Sequence, residues 1–164
     1  MPRLTDDPVY VAGHFACLWA FTLGWGVRVW HKKRVPESGP MLLVSNHQSN
    51  LDPPLVGMAV GDPCTYLARH DLFRVPGLSW LIRHLGAVPI DREAGKDGLT
   101  SVLKLLEQGK RVIMFPEGTR SPNGELQPIK PGVALLVKKA RCPVVPVGVV
   151  GAYHSWPKGQ PLPL

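Results

Sequence analysis

Met41-Leu42-Leu43-Val44-Ser45-Asn46-His47-Gln48-Ser49-Asn50-Leu51-Asp52-Pro53-Pro54 opens as a strand and closes as a helix. The run Met41 to Val44 is apolar without a period, as in a strand buried on both faces. Asp52-Pro53 reads as a helix start, with the carboxylate at the N-cap and a proline in the first helical position. A histidine therefore lies just past a strand end, with a carboxylate five residues on. On a continuous helix such residues point about 140° apart, so only a turn brings them together. Once together, the carboxylate holds the imidazole in one tautomer and leaves its other nitrogen free as a base. By themselves the residues equally fit a satisfied loop histidine beside an Asp that merely caps a helix.

Outward from this stretch, short apolar runs alternate with helical periodicity. Strands are predicted at 41–45, 64–68, 86–90, 111–115 and 143–149. Between them, Leu99, Val102, Leu103 and Leu106 recur at i, i+3, i+4, i+7, and so do Val133, Leu136, Val137 and Ala140. Asp97 suits the N-cap of the first helix and Gly109 the residue that closes it. The alternation predicts an α/β fold, a central, mostly parallel β-sheet flanked by helices. Ligands gather at the carboxyl ends of strands in such sheets, and His47 follows one.

The chain of 164 residues is long enough for one domain with a real core, and 45% apolar against 19% charged residues argues against disorder. A net charge of +7 points to an anionic partner: nucleic acid, a phosphorylated small molecule or an anionic membrane. No nucleic-acid partner is expected, since no binding motif appears and aromatics, at 7%, cluster toward the N-terminus. Cys17, Cys64 and Cys142 are widely spaced and form no ligand cluster, so neither a disulfide framework nor a metal site is indicated and a reducing, cytosolic setting fits. There is no GxGxxG and no P-loop.

Residues 9–27 carry no formal charge, and a helix of that length reaches about 28 Å, close to the bilayer core. Arg28, His31, Lys32, Lys33 and Arg34 follow, which places that flank on the cytoplasmic face. His14, the glycines and Trp19, Trp25 and Trp30 make the segment less apolar than a typical span, so it either crosses or lies in the interface. A buried core helix is the competing reading; the basic cluster favours membrane association. Pro36-Glu37-Ser38-Gly39-Pro40 reads as a linker that divides a membrane-associating segment, 1–35, from the globular part, 36–164.

Two further stretches hold chemistry. Leu85 to Arg92 reads as a strand ending in Asp91-Arg92, where the guanidinium fork suits a phosphate, or else as a charged surface turn. Val112-Ile113-Met114-Phe115 runs directly into Pro116-Glu117-Gly118-Thr119-Arg120-Ser121. That loop gathers a carboxylate, a guanidinium, two hydroxyls and a glycine: Arg120 for a phosphate, Glu117 for a hydroxyl. The plainer reading is a turn whose Glu and Arg pair with each other. Lys130-Pro131-Gly132 opens the next helix, whose amide end adds positive potential near an anion.

Together these stretches resemble the glycerolipid acyltransferase family, specifically the 1-acylglycerol-3-phosphate acyltransferases, from about Met41 to Gly151. Asn46 to Asp52 is similar to the family's H-x4-D block and Gly86 to Arg92 to its second. Phe115 to Ser121 is similar to the FPEGTRS block, and Val144-Val145-Pro146-Val147-Gly148 to the fourth. The resemblance implies acyl transfer from acyl-CoA or acyl carrier protein to the free hydroxyl of lysophosphatidic acid at a membrane. It implies His47 as general base, Asp52 as its orienter, Arg92 and Arg120 on the phosphate, and Glu117, Gly118 and Thr119 around the glycerol. No acyl-enzyme, cofactor or metal is implied, and no Ser or Cys stands in a nucleophile-elbow context. Amides at the helix start after Asp52 are expected to stabilise the oxyanion.

Two features depart from the family pattern. The chain trails off in prolines from Trp156 to Leu164 where members continue into another strand and a helix, so 36–164 is expected to be an acyltransferase domain that is shortened or incomplete. Pro89 inside the second block's strand predicts an edge position or a bulge. Another lysolipid or lyso-amino-acid lipid as acceptor, thioester hydrolysis, and non-catalytic membrane binding remain as alternatives.

Overall fold

The computed structural model describes residues 7–90, 95–160 and 163, with 95–97 as backbone only. Five strands form one parallel sheet: β1 (Met41–Ser45), β2 (Cys64–Arg69), β3 (Ala87–Ile90), β4 (Arg111–Met114) and β5 (Val144–Val147). Their order is β3-β2-β4-β1-β5, so β4 inserts between β2 and β1, the two strands that begin the sheet, and β5 then joins the outer side of β1. The helices are α1 (Pro8–Trp19), α2 (Asp52–Val60), α3 (Leu78–His84), α4 (Gly95–Glu107), α5 (Gly132–Lys139) and α6 (Ala152–Ser155).

Alternation along the central strands splits the core into two layers. Met41, Leu43 and Ile113 pack with Val56 and Val60 of α2, while Leu42 and Val112 pack with Val102 and Leu106 of α4 and Leu136 of α5. Both faces are apolar, which is why these strands read as unbroken hydrophobic runs. The register Leu43↔Ile113 and Val44↔Met114 is therefore fixed, because a one-residue slip would exchange the two layers. Pro89 sits in β3 at the sheet's edge, as its missing N–H predicts. Gly109 closes α4 at φ +79°, its N–H donating to Leu106 O, in the left-handed conformation that glycine adopts without strain. Asp97's side chain lies outside the described residues.

The N-terminal segment departs from the sequence expectation of one long helix. Asp7 caps α1 by accepting from Val9 N and Tyr10 N, but the α-helix ends at Trp19 and continues only as a π-helical turn, Ala20–Gly24. Trp25 then leaves helical geometry and Gly26 turns at φ +61°. Among the described residues, no helix is long and apolar enough to cross a membrane. One side of α1 packs inward through Tyr10 and lines, with Gly13 and Cys17, a cavity of about 200 Å³ whose other walls include Gly57, Tyr66 and Ile113. The other side presents Val11, Phe15, Leu18 and Trp19 to solvent at i, i+4, i+7, i+8. The three cysteines are unpaired.

Candidate active site

Register places the site. Three residues beyond the paired Val44 and Met114 stand His47 and Glu117, side by side at the carboxyl end of adjacent parallel strands. Glu117 Oε1 accepts from the His47 backbone N–H at 2.9 Å, and Ser121 N–H donates to His47 O at 2.7 Å. The loop after β4 thus grips the histidine's main chain from both sides. Phe115 lies flat against the imidazole, ring centroids 4.0 Å apart and planes 18° from parallel.

The turn between Ser45 and Asp52 folds the carboxylate back onto the histidine. Asp52 Oδ2 lies 2.7 Å from His47 Nδ1 and also accepts from Gln48 N–H at 2.6 Å and Ser49 N–H at 2.7 Å. An oxygen that already takes two backbone N–H donors is an acceptor here, so the facing Nδ1 donates, and in the neutral ring the lone pair is then on Nε2. The Asp52 side chain is fully buried, whereas His47 keeps 12% of its side chain exposed. Other residues fix the turn. The Asn46 amide clamps Val149 beyond β5 with two hydrogen bonds, at 2.8 and 2.7 Å. Gln48 Nε2 donates to Gly124 O, and Ser49 Oγ donates to Trp156 O.

Two expectations about Asp52 need correction. It occupies the first helical position, after Leu51, and its carboxylate satisfies amides of the preceding turn rather than capping α2. The reason is compositional: Pro53 and Pro54 have no N–H to cap. The same prolines remove the oxyanion donors expected after Asp52, and the next amide, Leu55 N–H, already donates to Leu51 O.

Arg120 is partly buried beside this dyad. Burial pulls its guanidinium below the ordinary arginine range, the charge of Asp52 opposes that, and the nearby Arg69 adds to it. Arg69 ends β2 and ion-pairs with Asp71. Among the described residues, buried side-chain atoms without a hydrogen-bond partner gather at this site: Gln48 Oε1, Asp52 Oδ1, Glu117 Oε2 and Arg120 Nη1, with Gln160 Oε1 near the chain end. Each such atom costs roughly 1–3 kcal/mol if nothing meets it. Such a concentration marks a place built for a polar ligand. Gly118 turns at φ +72° with Lys130 packed against it, next to the start of α5, and Thr119 Oγ1 accepts from Lys158. Arg92 lies outside the described residues.

The sequence profile of the acyltransferase family matches residues 26–150. The chain belongs to this family. A chloroplastic 1-acyl-sn-glycerol-3-phosphate acyltransferase of Brassica napus is 34% identical over 132 residues, which are 78% of this chain and 38% of that protein. The human 1-acyl-sn-glycerol-3-phosphate acyltransferase beta is 31% identical over 157 residues, 93% of this chain and 56% of that one. The crystal structure of the 1-acyl-sn-glycerophosphate (LPA) acyltransferase PlsC of Thermotoga maritima superposes with a TM-score of 0.77 at 32% identity, covering 96% of this chain and 61% of that one. The acyltransferase chain thus spans between 38% and 56% of the length of these two curated relatives.

Of the residues singled out in the acyltransferase sequence, His47, Asp52 and Glu117 meet directly, with Arg120 close to Asp52. Arg69 was not singled out, and Phe115 was given no role of its own. Phe115 was legible as a strand residue that opens the third block, not as a partner of the imidazole, and Arg69 nears Arg120 because β2 pairs with β4, a strand order that no local pattern encodes.

Proposed function

We propose that the chain transfers an acyl group from a thioester donor, acyl-CoA or acyl carrier protein, to the sn-2 hydroxyl of 1-acylglycerol-3-phosphate, giving phosphatidic acid. The observation that carries this reading is the His47–Asp52 contact of 2.7 Å, with Nδ1 committed to the carboxylate. Its support is the 1-acyl-sn-glycerol-3-phosphate acyltransferase activity by which its relatives are named, and the unpartnered polar atoms around the dyad.

In this mechanism the acceptor hydroxyl gives its proton to His47 Nε2 as its oxygen attacks the thioester carbonyl carbon. The tetrahedral intermediate collapses, the C–S bond breaks, and the imidazolium returns the proton to the leaving thiolate. No acyl-enzyme forms. Asp52 keeps the ring in the reactive tautomer and stabilises the positive charge that develops on it. Arg120 takes the acceptor's phosphate, with Arg69 beside it and Arg92 as the resemblance implies, and Glu117, Gly118 and Thr119 shape the glycerol pocket. The cavity between α1 and α2 reaches Asn50, two residues before Asp52, and suits an acyl chain. The exposed apolar stripe of α1 and the basic residues Lys32, Lys33 and Arg34 suit the interface of a membrane's cytoplasmic face.

The test is thiol release from acyl-CoA with a panel of acceptors. Release that requires lysophosphatidate supports the reading. Release that requires a different lysolipid changes the acceptor, and release without any acceptor makes the protein a thioester hydrolase.

A further inference from the structure

The segment that follows β2 is packed differently from the rest of the fold. After Arg69 the chain makes a 3-10 turn, His70–Arg74, bends at Pro76-Gly77 and forms α3, and neither the turn nor the helix contains a buried residue. Leu72, Val75, Leu78, Trp80 and Leu81 are all exposed, Trp80 by 55% and Val75 by 48%. Apolar side chains grouped this way on a surface mark a contact with something else.

The charges around the group identify the partner. Arg69, Arg74 and Arg83 lie in the segment, and its one acid, Asp71, is ion-paired with Arg69. Arg83 lies over the Phe73 ring at 4.8 Å, so a guanidinium flanks an aromatic of the segment, and the Trp80 and His84 rings are 4.5 Å apart. An apolar tip with a basic collar fits an anionic phospholipid surface, where the side chains enter the acyl boundary and the cations meet headgroups.

Position adds to this. The segment starts at the carboxyl end of β2, beside the Arg69–Arg120 pair. Its far end abuts α1: Leu85 Cδ2 lies 2.8 Å from where a Cβ on Gly13 would be, and His84 Nε2 is 4.0 Å from Asp7 Oδ2.

We propose that Leu72–Leu81 is a membrane-inserting element in its own right, which docks on anionic phospholipid and sets the mouth of the site against the bilayer. The docking stands on the patch alone and does not depend on the acyl-transfer reading.

The experiment measures partitioning of the full chain onto phosphatidylcholine vesicles with and without phosphatidylglycerol. The parent should prefer the anionic vesicles and lose that preference as salt rises. Trp80→Ser combined with Leu81→Ser should weaken binding by about tenfold or more, given the apolar area withdrawn from the lipid. Leu135→Ser, at a site 49% exposed on α5, should leave it unchanged. Leu72→Ser combined with Val75→Ser provides the same test if the first pair does not fold. Turnover with a monomeric short-chain acceptor should be unaffected in all of them, which separates loss of docking from loss of chemistry. Parent-like partitioning by both folded pairs would overturn the proposal. So would unchanged vesicle binding with turnover lost only for an acyl-carrier-protein donor, an outcome that makes the patch a protein-docking surface.

Discussion

Replacing Asp52 by Asn tests the dyad with little change of shape. One carboxylate oxygen takes three hydrogen bonds of 2.6–2.7 Å, two from the backbone of the turn and one from the imidazole, inside a fully buried side chain. A charge-assisted bond is worth about 1.5–3 kcal/mol and a neutral one about 0.5–1.5, so each backbone bond weakens by about 1 kcal/mol. The turn therefore loses about 2 kcal/mol, which in a domain of this size lowers Tm by about 4–8 °C. The effect on chemistry is larger, because the imidazolium formed in the transition state no longer faces a negative charge. At contact distance and an effective dielectric near 20 that attraction is about 4 kcal/mol, or about a thousandfold in rate. Thiol release at saturating lysophosphatidate, together with thermal unfolding of the same sample, measures both. Turnover within about tenfold of the parent in a folded Asp52→Asn protein would refute the role given to the carboxylate.

Other substitutions address the loop after β4 and the buried hydroxyl and thiol groups. Glu117→Ala strands the His47 N–H and should lower kcat by about a hundredfold, while Glu117→Gln, whose amide oxygen still accepts, should recover most of that; equal losses in the two would oppose a positioning role. Arg120→Ala should raise KM for lysophosphatidate by about thirtyfold, the value of a charge-assisted phosphate contact, and leave KM for uncharged 1-acylglycerol unchanged; comparing the two acceptors is the check. Burial pushes the Cys64 thiol and the Tyr10 and Tyr66 hydroxyls up to about 12, from ordinary values of 9.0 and 10.0. Because the folded values are the higher ones, stability should hold below pH 9 and fall from there toward 12, by about 1.4 kcal/mol per pH unit for each group ionised only in the unfolded chain. Urea unfolding across pH 8–11 tests this, and a flat profile would contradict it.

The sheet was legible because its central strands are buried on both faces, leaving short apolar runs whose predicted ends fall within two residues of the observed ones. α4 and α5 were legible for the complementary reason: each lays one stripe on the sheet. Helix α3 left no such trace, since Leu78, Trp80 and Leu81 face outward and no buried stripe sets a period. The end of α1 was misread because uncharged composition measures apolarity and not helical continuity, which is lost after Gly24 and turned at Gly26. Pro53-Pro54 stood in the sequence as a plain statement that two positions in the first turn of α2 have no amide to offer. Within the site, the two blocks that hold His47 and Glu117 were readable, whereas Arg69 required the order of β2 and β4.

The most direct test of the account is acceptor-dependent turnover by His47→Ala. With lysophosphatidate and acyl-CoA both saturating, loss of the base should reduce phosphatidate formation by about a thousandfold or more while lysophosphatidate still binds. Phosphatidate formed at the parental rate by this variant would contradict a mechanism in which His47 takes the hydroxyl proton.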